Sequence, residues 1–171
     1  IAEIKDEIMY LESIINAIDI ATTENDLNNI KDELAVTGYI KRSGKSKSKG
    51  NTHNKPMHYV SSDGFDIYVG KNNIQNDELT FKFATGGDWW FHAKQMPGSH
   101  VIVKTEGKEL PDKTFEEAAA LAAYYSKGRD LEKVEVDYVL KKEVKKPAGA
   151  KPGFVVYYTN YSLIAIADIS G

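Results

Sequence analysis

The residue types able to do chemistry crowd into one stretch, DWWFHAKQMPGSHVIV at 88–103. Two tryptophans, a phenylalanine, an acid and two histidines surround a Pro-Gly turn there. Three chemistries suit them. Asp88, His92 and His100 are metal-ligand types, and a metal site needs about three ligands, but their spacing matches no known ligand pattern. The two histidines also read as a satisfied structural pair. The third reading is a nucleic-acid surface, where aromatic faces stack on bases and cations meet phosphate. In a strand, alternate side chains share a face. Trp89, Phe91 and Ala93 then form a wholly apolar face suited to a core, and Trp90, His92 and Lys94 form the opposite, functional face. In SHVIVK, Val101 and Val103 oppose His100, Ile102 and Lys104, so the two histidine-bearing faces can adjoin. Ser99 next to His100 is no triad, because strand neighbours point apart. No nucleophile stands beside a base, so no catalytic residue, metal or cofactor is assigned.

Two other segments carry cations and amides. Lys71, Asn72 and Asn73, with Gln75 and Asn76, follow a strand and open a short helix. A helix N-terminus with such side chains can receive a phosphate, although a cap with solvated amides explains them equally well. The segment lacks the glycines and the Gly-Lys-Ser/Thr end of a P-loop. Lys141, Lys142, Lys145 and Lys146, joined by Lys151, lie in KKEVKKPAGAKPG, where Pro and Gly enforce a loop. Basic loops are common phosphate contacts, and a solvated charge run is the competing account.

The elements that position these groups can be read locally. Ile1, Ile4, Ile8, Leu11, Ile15 and Ile18 alternate spacings of three and four, an a/d seam that reads as one arm of a truncated coiled coil, with a helix packed on its own domain as the competing account. Thr23 with Asp26 predicts a capped second helix, and Gly38 ends it. KRSGKSKSKGNTHNK predicts a basic linker over 41–56, too polar to offset its ordering entropy; it reads as either a tether or a mobile polycation. From 57 to 171 the pattern predicts an α+β domain. HYVSSDGFDIYVG reads as a hairpin with a type I′ turn at Asp63-Gly64. Leu79, Phe81 and Phe83 alternate like a strand. TFEEAAALAAYYSKG reads as an Ala-rich helix capped by Thr114 with Glu117. KVEVDYVL, GFVVYYTN and SLIAIAD read as strands, with a hairpin tip at Asn160-Tyr161. The result is a mostly antiparallel sheet with one main helix packed on it, preceded by a projecting helical segment at 1–40.

Composition narrows the classes. The 171 residues are 42% apolar, enough for a core, with 22 basic and 25 acidic side chains. The net charge of -3 hides segregation, because the acids concentrate in the first forty residues and the cations at 41–55 and 141–151. The chain has no cysteine, which excludes disulfides and thiolate metal sites. No apolar run approaches the ~20 residues of a membrane helix, so no membrane partner is expected. The isoleucine start reads as that of a fragment.

The order VGKNNIQNDELT, DWWFHAKQMPGSHVIV, EEAAALAAYYSKGR and VKKPAGAKPGFVVYY resembles the NFACT-R domain of the RqcH/NEMF family. Its bacterial members were often labelled fibronectin-binding, FbpA-like proteins. The resemblance covers about 57–168, and the acidic helical start followed by ELAVTGYIKR looks like the end of that family's middle coiled coil. It implies a cytoplasmic, non-enzymatic RNA-binding domain of a ribosome-quality-control factor. Implied partners are the large ribosomal subunit, through its rRNA, and tRNA recruited for template-free alanine tailing of stalled chains. The best-known tRNA-recognition residues lie in the family's amino-terminal domain. Family function attaches only generally to Lys71, Asn72, Asn73, Asp88, Trp90, His92, Gly98 and His100. The alternative from the same resemblance is an extracellular adhesin module with fibronectin as partner.

Overall fold

The structure is a computed structural model and describes residues 2–41 and 55–170. Helix α1 (Ala2–Ile20) and helix α2 (Glu24–Val36) come first. Thr23 caps α2 with the expected reciprocal box: its hydroxyl accepts from Asp26 N, and the Asp26 carboxylate accepts from Thr23 N. Gly38, at φ +86°, takes the left-handed turn that follows. Tyr10, Ile14 and Ala17 of α1 pack against Ile30 and Leu34 of α2. Ile4, Ile8, Leu11, Ile15 and Ile18 all stay exposed, so the seam read from the sequence lies on a different stripe from the one that packs within the chain.

The helix pair is fastened to the body by buried polar groups. The Glu33 carboxylate accepts hydrogen bonds from Tyr10 OH, Asn73 N (3.0 Å), Asn73 Nδ2 (3.2 Å) and Ile74 N (3.3 Å). Asn16 Nδ2 donates to Tyr125 O at 3.2 Å, and Arg129 Nη2 donates to Asn16 Oδ1 at 2.9 Å. Of the linker expected at 41–56, residues 42–54 lie outside the described residues, as does Ile1 of the seam.

Six strands form an antiparallel sheet: β1 (Met57–Val60), β2 (Asp66–Val69), β3 (Trp89–Ala93), β4 (Val101–Val103), β5 (Val134–Leu140) and β6 (Tyr161–Ala165), in the order β1-β2-β4-β3-β5-β6. Helix α4 (Asp112–Tyr124) covers one face. Its Ala118, Ala119, Ala122 and Ala123 let it lie close over Phe91, Val101, Val103 and Val136. The second face is covered by helix α3 (Asn73–Glu78), by the π-helical turn that continues it through Leu79–Phe83, and by the chain after β5. Leu79, Ala84, Trp90, Ile102, Val139 and Val144 make this second, smaller core.

Four local expectations change. Leu79–Phe83 is not a strand: Ala84 N donates to Leu79 O at 2.8 Å, the i→i+5 bond of a π turn. At the β1–β2 turn only Gly64 has positive φ, +87°, and Gly64 N donates to Ser61 O, so the turn is not type I′. Helix α4 begins two residues before Thr114, behind Pro111. The Thr114 hydroxyl instead meets Ser61 Oγ (3.0 Å) and Asp63 (2.8 Å), and Glu117 accepts from Ser62 N, so both side chains tie the helix to the β1–β2 turn. GFVVYYTN holds only the Lys145–Val156 bridge, and Tyr161 begins β6 rather than forming a hairpin tip.

Candidate nucleic-acid interface

The histidine-bearing faces of β3 and β4 do adjoin. The His92 and His100 rings meet edge to face at 5.5 Å, and Trp90 stacks on His92 at 5.5 Å. This face is not an open platform, however. Trp90 is 1% exposed, more deeply buried than Trp89, because α3 and the 144–157 chain close over it. The expectation that Trp90 presents a stacking surface is therefore corrected. The facing itself holds, since Trp89 packs with Phe115 of α4 and Trp90 lies opposite. His100 is buried, its Nε2 donating to Gly153 O (3.1 Å) and its Nδ1 accepting from Thr80 Oγ1 (2.8 Å). The half-buried His92 turns Nδ1 to Ala93 O (2.6 Å) and Nε2 to Gly98 O (3.1 Å). Burial pushes both imidazole pKa values below their ordinary range, and for His100 the neighbouring His92 adds to this. The His100 ring, its Nδ1 accepting from Thr80, then offers phosphate no positive charge at neutral pH.

The other residues of this stretch and of the VGKNN segment hold the fold. Asp88, 1% exposed, accepts from Lys104 Nζ (2.7 Å), Thr85 N (2.8 Å) and Thr105 N (3.0 Å), at the opposite end of β3 from His92. Asn72 caps α3, accepting from Gln75 N at 2.8 Å. Asn73 is spent on Glu33 and Ser13, and Lys71 pairs with Asp26 at 3.4 Å. Asn72 thus holds its own helix, and Asn73 ties α3 to α1 and α2. Gly70 reflects the same closeness: a Cβ there would meet Asn76 Oδ1 at 1.9 Å.

The basic loop divides. Lys146 Nζ is tied to Asp77 (3.1 Å), Lys151 O (2.6 Å) and Phe154 O (2.9 Å), so it shapes the loop from within. Lys142 and Lys145 are exposed, and Lys141 lies over the Phe81 ring at 5.8 Å. These lysines are drawn to a surface that sequence reasoning missed. Lys141 N donates to Asp88 O (2.8 Å), bringing the loop against the segment that follows the π turn. That turn presents Phe83, 44% exposed, with Lys104 Nζ 4.7 Å from its ring centre and Tyr68 edge-on at 4.8 Å. His58 stacks on Tyr68 at 4.7 Å, and Lys82 is exposed between the two phenylalanines. Gly86 and Gly87 leave the adjoining backbone open: a Cβ on Gly87 would meet nothing within 4 Å. Aromatic faces interleaved with ammonium groups are what base stacking with phosphate contact requires. The sequence signal for it was the FKF triplet, which read as strand.

Comparison with known proteins places this geometry. Residues 55–159 match the family model described as the NFACT protein RNA binding domain, and residues 1–53 match the NFACT N-terminal and middle domains. The Rqc2 homolog RqcH of Streptococcus suis is 46% identical over 92% of this chain and 28% of its own length. The Rqc2 homolog RqcH of Bacillus subtilis is 39% identical over 96% of this chain and 29% of its own. The chain thus spans under a third of these relatives. The C-terminal structure of the fibronectin/fibrinogen-binding protein of Streptococcus suis superposes with a TM-score of 0.90 at 43% identity, covering 98% of this chain and 66% of that one. With the RNA-binding model spanning well over half of its residues, the chain belongs to the NFACT RNA-binding domain family, joined at its front to the end of the NFACT N-terminal and middle domains.

Proposed function

We propose that this domain grips ribosomal RNA or tRNA for a ribosome-quality-control factor, and that the Phe81–Phe83 turn with Lys82, Lys104, Lys141 and Lys142 is the gripping surface. The observation that carries the proposal is the exposed Phe83 ring flanked by lysines, on a chain whose net charge is -3. A net acidic protein needs such local segregation to hold phosphate. Template-free alanine tailing of stalled chains, in the cytoplasm and on the large subunit, is the activity this reading assigns to the whole protein. Within it the domain binds and does no bond chemistry. Helix α1 with its exposed isoleucines is then one arm of a coiled coil. Among the described residues no helix is long and apolar enough to cross a membrane.

The test is crosslinking of the full-length protein to ribosomes in cells, followed by mapping of RNA-linked peptides. Peptides containing Phe81–Phe83 or Lys141–Lys145 are expected. The relative named for fibronectin and fibrinogen gives the competing outcome. Binding of fibronectin by cell-surface protein, with no RNA-linked peptide from this domain, would replace the reading.

A further inference from the structure

At the far end of β3 from Phe83, a cavity of about 730 Å³ opens between α1, the Gln95–Gly98 turn and the 147–155 loop. That lies within the roughly 300–1,000 Å³ of ordinary ligand sites. Its apolar surface comes from Met9, Met96, Pro97, Phe154 and Tyr157. Met9 and Phe154 are exposed although both are large and apolar. Trp90 forms part of the wall, and its indole N–H has no hydrogen-bond partner even though the residue is 1% exposed. The indole nitrogen is itself covered, so Trp90 backs the wall and senses what fills the cavity without contacting it. Beside the cavity Gln95 holds φ +53°, a conformation few non-glycine residues adopt.

The charges select the occupant. Glu3, Asp6 and Glu7 line the α1 side, and Lys151 is the one lysine among the lining residues. Lys151 Nζ is already engaged with Tyr39 OH at 3.1 Å and lies over the Tyr10 ring at 5.1 Å. His100 in the wall adds no charge, its Nδ1 accepting from Thr80 Oγ1. A phosphodiester would bring further negative charge to an acidic rim. A peptide would not: its apolar side chains suit the methionines, which adapt to varied shapes. A lysine or arginine beside them can answer the α1 acids.

We infer that the cavity between α1 and the 147–155 loop is a docking site for a short apolar peptide segment flanked by basic residues, supplied by a partner protein. The site is separate from the Phe83 surface, so the domain holds RNA at one end of β3 and protein at the other.

The chain has only two tryptophans, which makes the test direct. Isotope-labelled protein shows two indole N–H signals, and Trp89, on the other face of the sheet, is the internal control. The first probe is a pool of acetylated, amidated short peptides of Leu, Met, Lys and Arg. The second pool replaces the basic residues with Glu, and the third probe is a single-stranded uridine oligomer. The basic pool is expected to shift the Trp90 indole signal while leaving Trp89 in place, and the acidic pool to shift neither. Glu3→Gln with Asp6→Asn, both at exposed positions, is expected to weaken the basic pool roughly two- to thirtyfold, the range for two exposed charge pairs. Equal binding by that variant would overturn the site. So would a Trp90 signal that moves with the oligomer but not with the basic peptides, or one that moves with none of the probes.

Discussion

Replacing each tryptophan in turn separates the two faces of β3. Trp90 is 1% exposed, with His92, His100 and Tyr157 rings at 5.5, 5.2 and 5.1 Å. His100 is pinned by Thr80 and Gly153, and Tyr157 by Asp137, so the wall cannot collapse into the space an alanine leaves. Removing a fully buried aromatic from such a wall costs about 3–5 kcal/mol. For a chain of this size each kcal/mol moves the midpoint by roughly 2–4 °C, so Trp90→Ala should lower it by roughly 6–20 °C. Trp89 packs on Phe115 and Tyr138 but keeps part of its edge in solvent. Trp89→Ala should cost less, about 1–3 kcal/mol, because less area leaves water on folding. Trp90→Phe should recover more than half of the alanine loss: it refills most of the hole and also deletes a buried donor whose isolation costs about 1–3 kcal/mol. Thermal unfolding followed by far-ultraviolet circular dichroism measures all three. A larger loss for Trp89→Ala than for Trp90→Ala would refute the claim that the second face is a closed core.

Two further expectations concern buried acids. Asp88→Ala should cost about 3–5 kcal/mol, because it leaves Lys104 and the Thr85 and Thr105 amides without their acceptor; denaturant unfolding reads the loss. Burial raises the Asp88 pKa, but Lys104 and the two amides outweigh this and hold it below the usual carboxylate range. Its contribution is therefore present above the unfolded value of about 3.9 and is lost as pH falls through the lower folded value. Glu33 has the opposite sign: burial raises its pKa despite hydrogen bonds from Tyr10, Asn73 and Ile74. Its contribution is full below the unfolded value of about 4.3 and is lost as pH rises through the folded value. Wild type should thus gain stability relative to Glu33→Gln on acidification from pH 7 to 5, as paired melts at each pH would show.

What was legible in the sequence was local. Thr23 with Asp26, and Asn72 before Gln75, announce their caps because the partner lies three residues away. Val101 and Val103 announce their face because strand alternation needs no distant information. What failed depended on chain that returns from afar. Trp90 looked like a surface residue because its covering comes from Leu79, Val144 and Tyr157, on two separate segments. Asn73 looked like a phosphate ligand because its real partner, Glu33, lies forty residues earlier. The FKF triplet shows a different failure. Alternation at Leu79, Phe81 and Phe83 suits a strand, and a single π turn places the same residues so that Leu79 is buried while Phe83 is open. The exposed aromatic surface was thus hidden within an element of the wrong type. The Lys141–Lys146 run stands out in the sequence as a block, but only the fold separates Lys146, turned inward, from Lys142 and Lys145.

The central claim is that the Phe83 turn and its lysines hold RNA, and a salt titration of fluorescent tRNA or an rRNA fragment against the chain tests it most directly. Each phosphate neutralised on single-stranded RNA contributes about -0.7 to the log–log slope. Four contacts, one for each lysine of the surface, give a slope of about -2.8, or roughly a fiftyfold loss of affinity between 50 and 200 mM salt. Lys82→Ala, Lys141→Ala and Lys142→Ala combined should flatten the slope by about two units. Phe83→Ala should weaken binding by roughly five- to 150-fold and leave the slope intact, because stacking releases no counterions. An unchanged slope in the triple variant, together with unchanged affinity in Phe83→Ala, would contradict the account.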